Sequence, residues 1–133
     1  GHCVGTGLEL SALCDLRYAT QDAVFRMPEL KLGLIPAAGG TQSLPNLLKP
    51  PRALELLFTG RHLNAIEAFE SGLIDGLFTD RASMMLEVEK KMRNIIANDF
   101  SIIKNIKQSV IWGAELPLRH ALRLEQILAD QLN

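Results

Sequence analysis

The stretch Gly5-Thr6-Gly7-Leu8-Glu9-Leu10-Ser11-Ala12-Leu13-Cys14-Asp15 decides how this chain reads. From Gly7 to Cys14, helix formers run without a breaker, so a short buried helix starting at the glycines is expected. A second patterned stretch follows: Met27-Pro28-Glu29-Leu30-Lys31-Leu32-Gly33-Leu34-Ile35-Pro36, running into Ala37-Ala38-Gly39-Gly40-Thr41-Gln42. Each stretch sets one glutamate, Glu9 or Glu29, among apolar residues beside a Gly or Pro. A carboxyl so placed suits general acid/base work. A glycine run feeding a helix start supplies amide N–H groups where a developing oxyanion could sit. Two carboxylates and an oxyanion site are the parts of a proton-transfer enzyme.

Working outward, residues 15–20 and 23–27 read as short strands on either side of the turn-like pair Gln21-Asp22. Residues 30–35 are a short apolar run that Pro36 stops. Gly39-Gly40-Thr41 opens a helix to Leu48, punctuated by Pro45. Pro50-Pro51 is a break, and Pro51 suits the first turn of a helix over 52–58 that Gly60 ends. Asn64-Ala65-Ile66-Glu67 has the spacing of a capping box, with Gly72 closing that helix. Residues 73–78 read as a strand or extended segment. From about Ala82 the pattern is helical, with three apolar faces. These are Met85, Val88, Met92, Ile95 and Ile96; Ile102, Ile103, Ile106 and Val110; and Leu118, Ala121, Leu122, Leu128, Ala129 and Leu132. The expectation is an α/β (α+β) fold in two regions, a mixed β/α part over 1–79 and a helical part over 80–133.

The chain has 133 residues, one domain's worth, and is 47% hydrophobic, enough for a core. A net charge of -1 and the lack of a basic cluster argue against nucleic acid as a partner. No run approaches the 18 or so apolar residues of a membrane span. Cys3 and Cys14 lack metal-ligand spacing with any histidine, so no metal site is expected, and they read as reduced thiols. The opening, Gly1-His2-Cys3-Val4-Gly5, has no starting Met and reads as an internal piece of a longer chain.

Each motif also has a plainer reading. Gly5-Thr6-Gly7 fails the dinucleotide fingerprint and serves equally well as a tight turn. A lone glutamate in a short apolar helix usually faces solvent at its polar edge. Glu29 after Pro28 could simply satisfy free amides at a helix start. His2, His62 and His120 pair with no nucleophile at recognisable spacing, and Trp112 reads as core or interface packing.

Taken together, three blocks resemble the enoyl-CoA hydratase/isomerase (crotonase) superfamily, in order and spacing: GTGLELSALCDLRYAT at 5–20, MPELKLGLIPAAGGTQSLP at 27–45, and ALELLFTGRHLNAIEAFESGLID at 53–75. Residues 82–133 resemble that family's C-terminal helices more loosely. The resemblance implies a crotonase-like ββα spiral, here incomplete and corresponding to the C-terminal portion of the domain, with a C-terminal helical region for oligomerisation. It implies an acyl-CoA thioester substrate and no cofactor beyond the coenzyme A that the substrate carries. A homotrimer or hexamer is implied for the complete protein, with a cytoplasmic location, or a mitochondrial or peroxisomal one in a eukaryote.

On the same resemblance, Glu9 and Glu29 fall on the two catalytic glutamates of hydratases. The oxyanion amide maps onto Thr6, where the family usually has Gly, with Gly5 and Ala37 as neighbouring oxyanion or substrate-binding positions. Ala37 also stands where Gly is usual. Paired glutamates favour addition of water across the 2,3 double bond of an enoyl-CoA. The alternatives are a Δ3,Δ2-enoyl-CoA isomerase with Glu29 as the single shuttling base, or a non-catalytic fragment with uncovered apolar faces.

Overall fold

The computed structural model describes residues 1–132. The chain divides into two compact units, the first spanning Gly1–Val88 and the second beginning at Glu89. The first unit opens with strand β1 (His2–Val4) and helix α1 (Thr6–Ala12), followed by strands β2 (Tyr18–Thr20) and β3 (Val24–Arg26). A 3-10 turn, Glu29–Leu32, leads through a loop to helices α2 (Gly40–Leu48) and α3 (Pro50–Thr59). Strand β4 (Leu63–Asn64), helix α4 (Ala65–Glu70) and strand β5 (Gly76–Phe78) complete the mixed part, and helix α5 (Arg81–Ile96) leaves it.

The five strands are divided between two sheets, β1-β3-β4 and β2-β5. β1 and β3 pair in parallel, with Cys3 opposite Phe25, and β4 joins β3 antiparallel, with Leu63 opposite Phe25. β2 and β5 form a second parallel pair, with Ala19 opposite Leu77. Parallel pairing requires a crossover between partners. α1 supplies it for the first sheet and sits beside β1, which is what brings Glu9 to its position. Leu8 and Ala12 of α1, Met27, Leu44 and Leu48 of α2, and Leu56 of α3 join one buried cluster.

Local chemistry sets the boundaries. Gly5 (φ 56) turns the chain from β1 into α1, a conformation that disfavours any side chain. Pro50 and Pro51 occupy the first turn of α3, where a missing N–H costs nothing, and Gly60 (φ 53) ends it. Pro45 lies inside α2, which persists across it because Leu44 and Leu48 are buried. The expected capping box is formed: Asn64 Oδ1 accepts from the Glu67 amide at 2.9 Å, and Glu67 Oε2 accepts from the Asn64 amide at 3.1 Å. Arg61 ties this cap to α3, donating from Nε to Glu55 Oε1 at 2.6 Å and from Nη1 to Glu67 Oε1 at 3.2 Å. Glu55 is held below its ordinary carboxyl pKa, chiefly by that hydrogen bond from Arg61.

In the second unit, helices α6 (Phe100–Gly113) and α7 (Leu118–Asp130) pack together. Asn105 donates from Nδ2 to the Leu128 carbonyl at 2.7 Å, and Leu128 is buried. Two expectations from the apolar periodicity need correction here. The half-buried apolar residues of α5 are Met84, Val88, Met92 and Ile95, so Met84 rather than Met85 lies on the covered face, and Ile96, expected there, is 72% exposed. Of the face expected on α6, Ile103 is half-buried, while Ile106 and Val110 are 60% and 67% exposed. Trp112 is likewise half exposed and takes no place in a core. An apolar stripe shows only which side of a helix seeks a partner.

Candidate active site

Glu9 projects from the first turn of α1 and is almost wholly buried, with 1% of its surface exposed. A carboxylate taken out of water needs compensating donors. Glu9 finds them far along the chain, where its Oε1 accepts the amide of Ala38 at 3.0 Å and that of Gly40 at 2.8 Å. Both donors belong to the turn where Gly39 (φ 101) swings the chain into α2. A buried carboxylate is thus held by two backbone amides on a rigid helix start.

This arrangement corrects part of the sequence reading. A glycine run that opens a helix was expected to supply free amides for a developing oxyanion, and at 39–40, read more readily as a turn than as a site, the Gly40 amide does not stay free. It is taken by Glu9, because a buried carboxylate is the stronger acceptor at hand. The expected solvent-facing setting for a glutamate in a short helix does not hold for Glu9 either. Ala37 is exposed, one residue ahead of the Ala38 amide that Glu9 accepts.

Glu29 is placed differently. It opens the 3-10 turn after Pro28, which caps that turn, and Gly33 (φ 70) closes it. Its side chain is half-buried, and its Oε2 is buried with no hydrogen-bond partner. Oε1 lies 2.7 Å from where a β-carbon on Gly5 would stand, so the carboxylate rests against the bare α-carbon of that glycine.

Gly5 therefore touches the backbone of one glutamate and the carboxylate of the other. Its carbonyl accepts the amides of Leu8 at 2.8 Å and Glu9 at 3.0 Å, which starts the helix that carries Glu9. Its α-carbon faces Glu29. Its own amide donates to the Arg26 carbonyl at 2.9 Å, so Gly5 presents no N–H to a ligand. The expected oxyanion role of Gly5 gives way to one of spacing. Thr6, the first residue of α1, is exposed, and its amide stands at the helix start, where a helix offers no internal acceptor.

The hydrogen bonds from Ala38 and Gly40 to Glu9, and the contact of Glu29 with Gly5, were not read from the sequence. They span 29, 31 and 24 positions, and no local spacing rule reaches so far. The one available signal was a non-helical glycine requirement at positions 5 and 39. Cys3 and Cys14 are free thiols. Among the described residues no group of three or more His, Cys, Asp or Glu could hold a metal ion, and no helix is long and apolar enough to cross a membrane.

Glu9 is thus locked by two amides of the turn into α2, while Glu29 rests against Gly5 with one buried oxygen unpaired. The family model for enoyl-CoA hydratase/isomerase matches residues 1–132. This chain belongs to the enoyl-CoA hydratase/isomerase family. A Bacillus subtilis protein named for that family is 40% identical over 131 residues, 98% of this chain and 50% of the relative. A crotonyl-CoA hydratase of Syntrophomonas wolfei is 34% identical over 125 residues, 94% of this chain and 48% of the relative. The crystal structure of a Thermobifida fusca protein in complex with acetoacetyl-CoA superposes with a TM-score of 0.92 at 29% identity, covering 97% of this chain and 50% of the other. The fold is thus the expected crotonase-type α/β fold, and it is partial. The chain spans about half the length of these family members. The match to the family model starts at residue 1, and the expected assignment to the C-terminal portion of the domain is not borne out. What is shown is family membership over half a family length.

Proposed function

We propose that the complete protein is an enoyl-CoA hydratase and that Glu9 and Glu29 carry the proton transfers. The observation that carries this reading is the division of labour between the carboxylates. Glu9 is fixed through Oε1 by two amides, while Glu29 keeps a buried oxygen without a partner. In this mechanism the thioester oxygen of a trans-2-enoyl-CoA accepts the Thr6 amide, and residues of the domain outside this chain give a second donor. Such a site contributes on the order of 3 kcal/mol to the barrier. Glu9 Oε2 takes a proton from a water whose oxygen bonds to the β-carbon. The C2–C3 π electrons pass to the enolate, and Glu29 gives a proton to the α-carbon. One carboxyl gains a proton as the other loses one, so exchange between them closes the cycle.

Support comes from the settings of buried Glu9 and half-buried Glu29, from the family, and from a relative named crotonyl-CoA hydratase. Binding of an acyl-CoA is supported by the related protein solved with acetoacetyl-CoA. The reading calls for no cofactor apart from the coenzyme A of the substrate, and it retains the trimer or hexamer that the resemblance implied. The test is product analysis with crotonyl-CoA on the full-length protein. A 3-hydroxyacyl-CoA that disappears with Glu29→Gln supports hydration. A shifted double bond from a 3-enoyl-CoA without hydration assigns the isomerase instead, and near-normal hydration by Glu29→Gln ends the reading.

A further inference from the structure

We propose that Gly40 is a positioning residue for the Glu9 carboxylate and through it sets how well the site performs hydration rather than α-proton transfer alone. The proposal rests on the reading that Glu9 acts on the water. A β-carbon at position 40 would stand 2.8 Å from Glu9 Oε1, 2.9 Å from its Cγ and 3.2 Å from its Cδ. All three nearest atoms belong to Glu9, so the glycine leaves room for that one side chain. The backbone gives no other reason for glycine here. Gly39 takes the left-handed turn, whereas Gly40 begins α2 and is absent from the positive-φ glycines. At a helical position alanine is the better residue.

Glu9 cannot yield cheaply to such a methyl group. It is buried, its Oε1 is fixed by the amides of Ala38 and Gly40, and the contact at 2.9 Å falls on Cγ rather than on the free end of the chain. Moving the side chain aside breaks the pair of hydrogen bonds that orients it. Gly5 has the corresponding closeness to Glu29, but its φ of 56 makes any substitution there strained regardless. Gly40 alone separates room for a carboxylate from need for a backbone conformation.

The experiment uses the full-length protein with Gly40→Ala, Glu9→Gln, Glu9→Ala and the double variant Glu9→Ala/Gly40→Ala. Hydration of crotonyl-CoA is measured beside exchange of α-protons of a saturated acyl-CoA into deuterium oxide. A displacement near 1 Å at a reacting group costs about 10²-fold. Gly40→Ala is expected to lower kcat for hydration by about that factor, with KM little changed, and to lower α-proton exchange much less. The melting temperature gives a second, activity-free readout. Gly40→Ala should lower it in the presence of Glu9 and raise it in the Glu9→Ala background, where the clashing atoms are gone. Normal hydration in Gly40→Ala, or an equal loss of melting temperature in both backgrounds, overturns the proposal and leaves the proposed function standing. Normal hydration in Glu9→Gln overturns the proposed function, and this proposal with it.

Discussion

The segments that carry the two carboxylates solve opposite problems. Around Glu9, a helix and a glycine turn enclose the side chain and supply two amide donors, so the carboxylate is both buried and satisfied. Around Glu29, a single 3-10 turn brings a half-buried side chain against the α-carbon of Gly5 and leaves one buried oxygen unsatisfied. Buried polar groups normally find partners, and an orphan is a cue for a functional role. The contrast is that one carboxylate is held in place by donors and the other keeps an oxygen open, which is the division the proposed mechanism uses.

That contrast can be broken at several points. The largest effect belongs to catalysis: Glu29→Gln in the full-length protein should lower kcat for hydration by about 10²–10⁴-fold with little change in KM. Steady-state kinetics with crotonyl-CoA check it. Next comes the cost of orphaning the donors. Glu9→Ala leaves the Ala38 and Gly40 amides without their acceptor and should cost about 1–3 kcal/mol more than Glu9→Gln, whose amide oxygen can still accept. Urea denaturation of the two variants reads the difference directly.

Asn64→Ala serves as a control remote from both carboxylates. It removes the α4 cap and should cost about 1 kcal/mol of stability, with the ratio of hydration to α-proton exchange unchanged. The smallest effect is expected at Glu29 itself. Glu29→Ala removes a carboxylate with an unsatisfied buried oxygen, so stability should stay within about 0.5 kcal/mol or rise. A loss comparable to that of Glu9→Ala would erase the distinction between the two segments.

Much of this was legible in the sequence because the signals are local. Pro51, Gly60, Asn64 with Glu67, and Gly72 mark helix boundaries within a few residues of where they act, and each is found in that role. The glutamates stood out because each lies in an apolar stretch beside a turn residue. What surrounds them was not legible. A hydrogen bond from Gly40 to Glu9 depends on the crossover that brings α2 beside α1, and the split of β2 and β3 between sheets depends on partners many residues away. The helical region shows the same limit from the other side. The stripe of Ile102, Ile106 and Val110 is plain in the sequence, yet these residues remain largely exposed, because periodicity names a face without supplying what covers it.

The most direct test of the paired-carboxylate mechanism is α-proton exchange of a saturated acyl-CoA into deuterium oxide, measured on full-length Glu9→Gln and Glu29→Gln side by side with hydration. If Glu9 handles the water and Glu29 the α-carbon, Glu9→Gln loses hydration but keeps exchange, and Glu29→Gln loses both. Equal loss of exchange in the two variants, or exchange that survives Glu29→Gln, would contradict the division of roles.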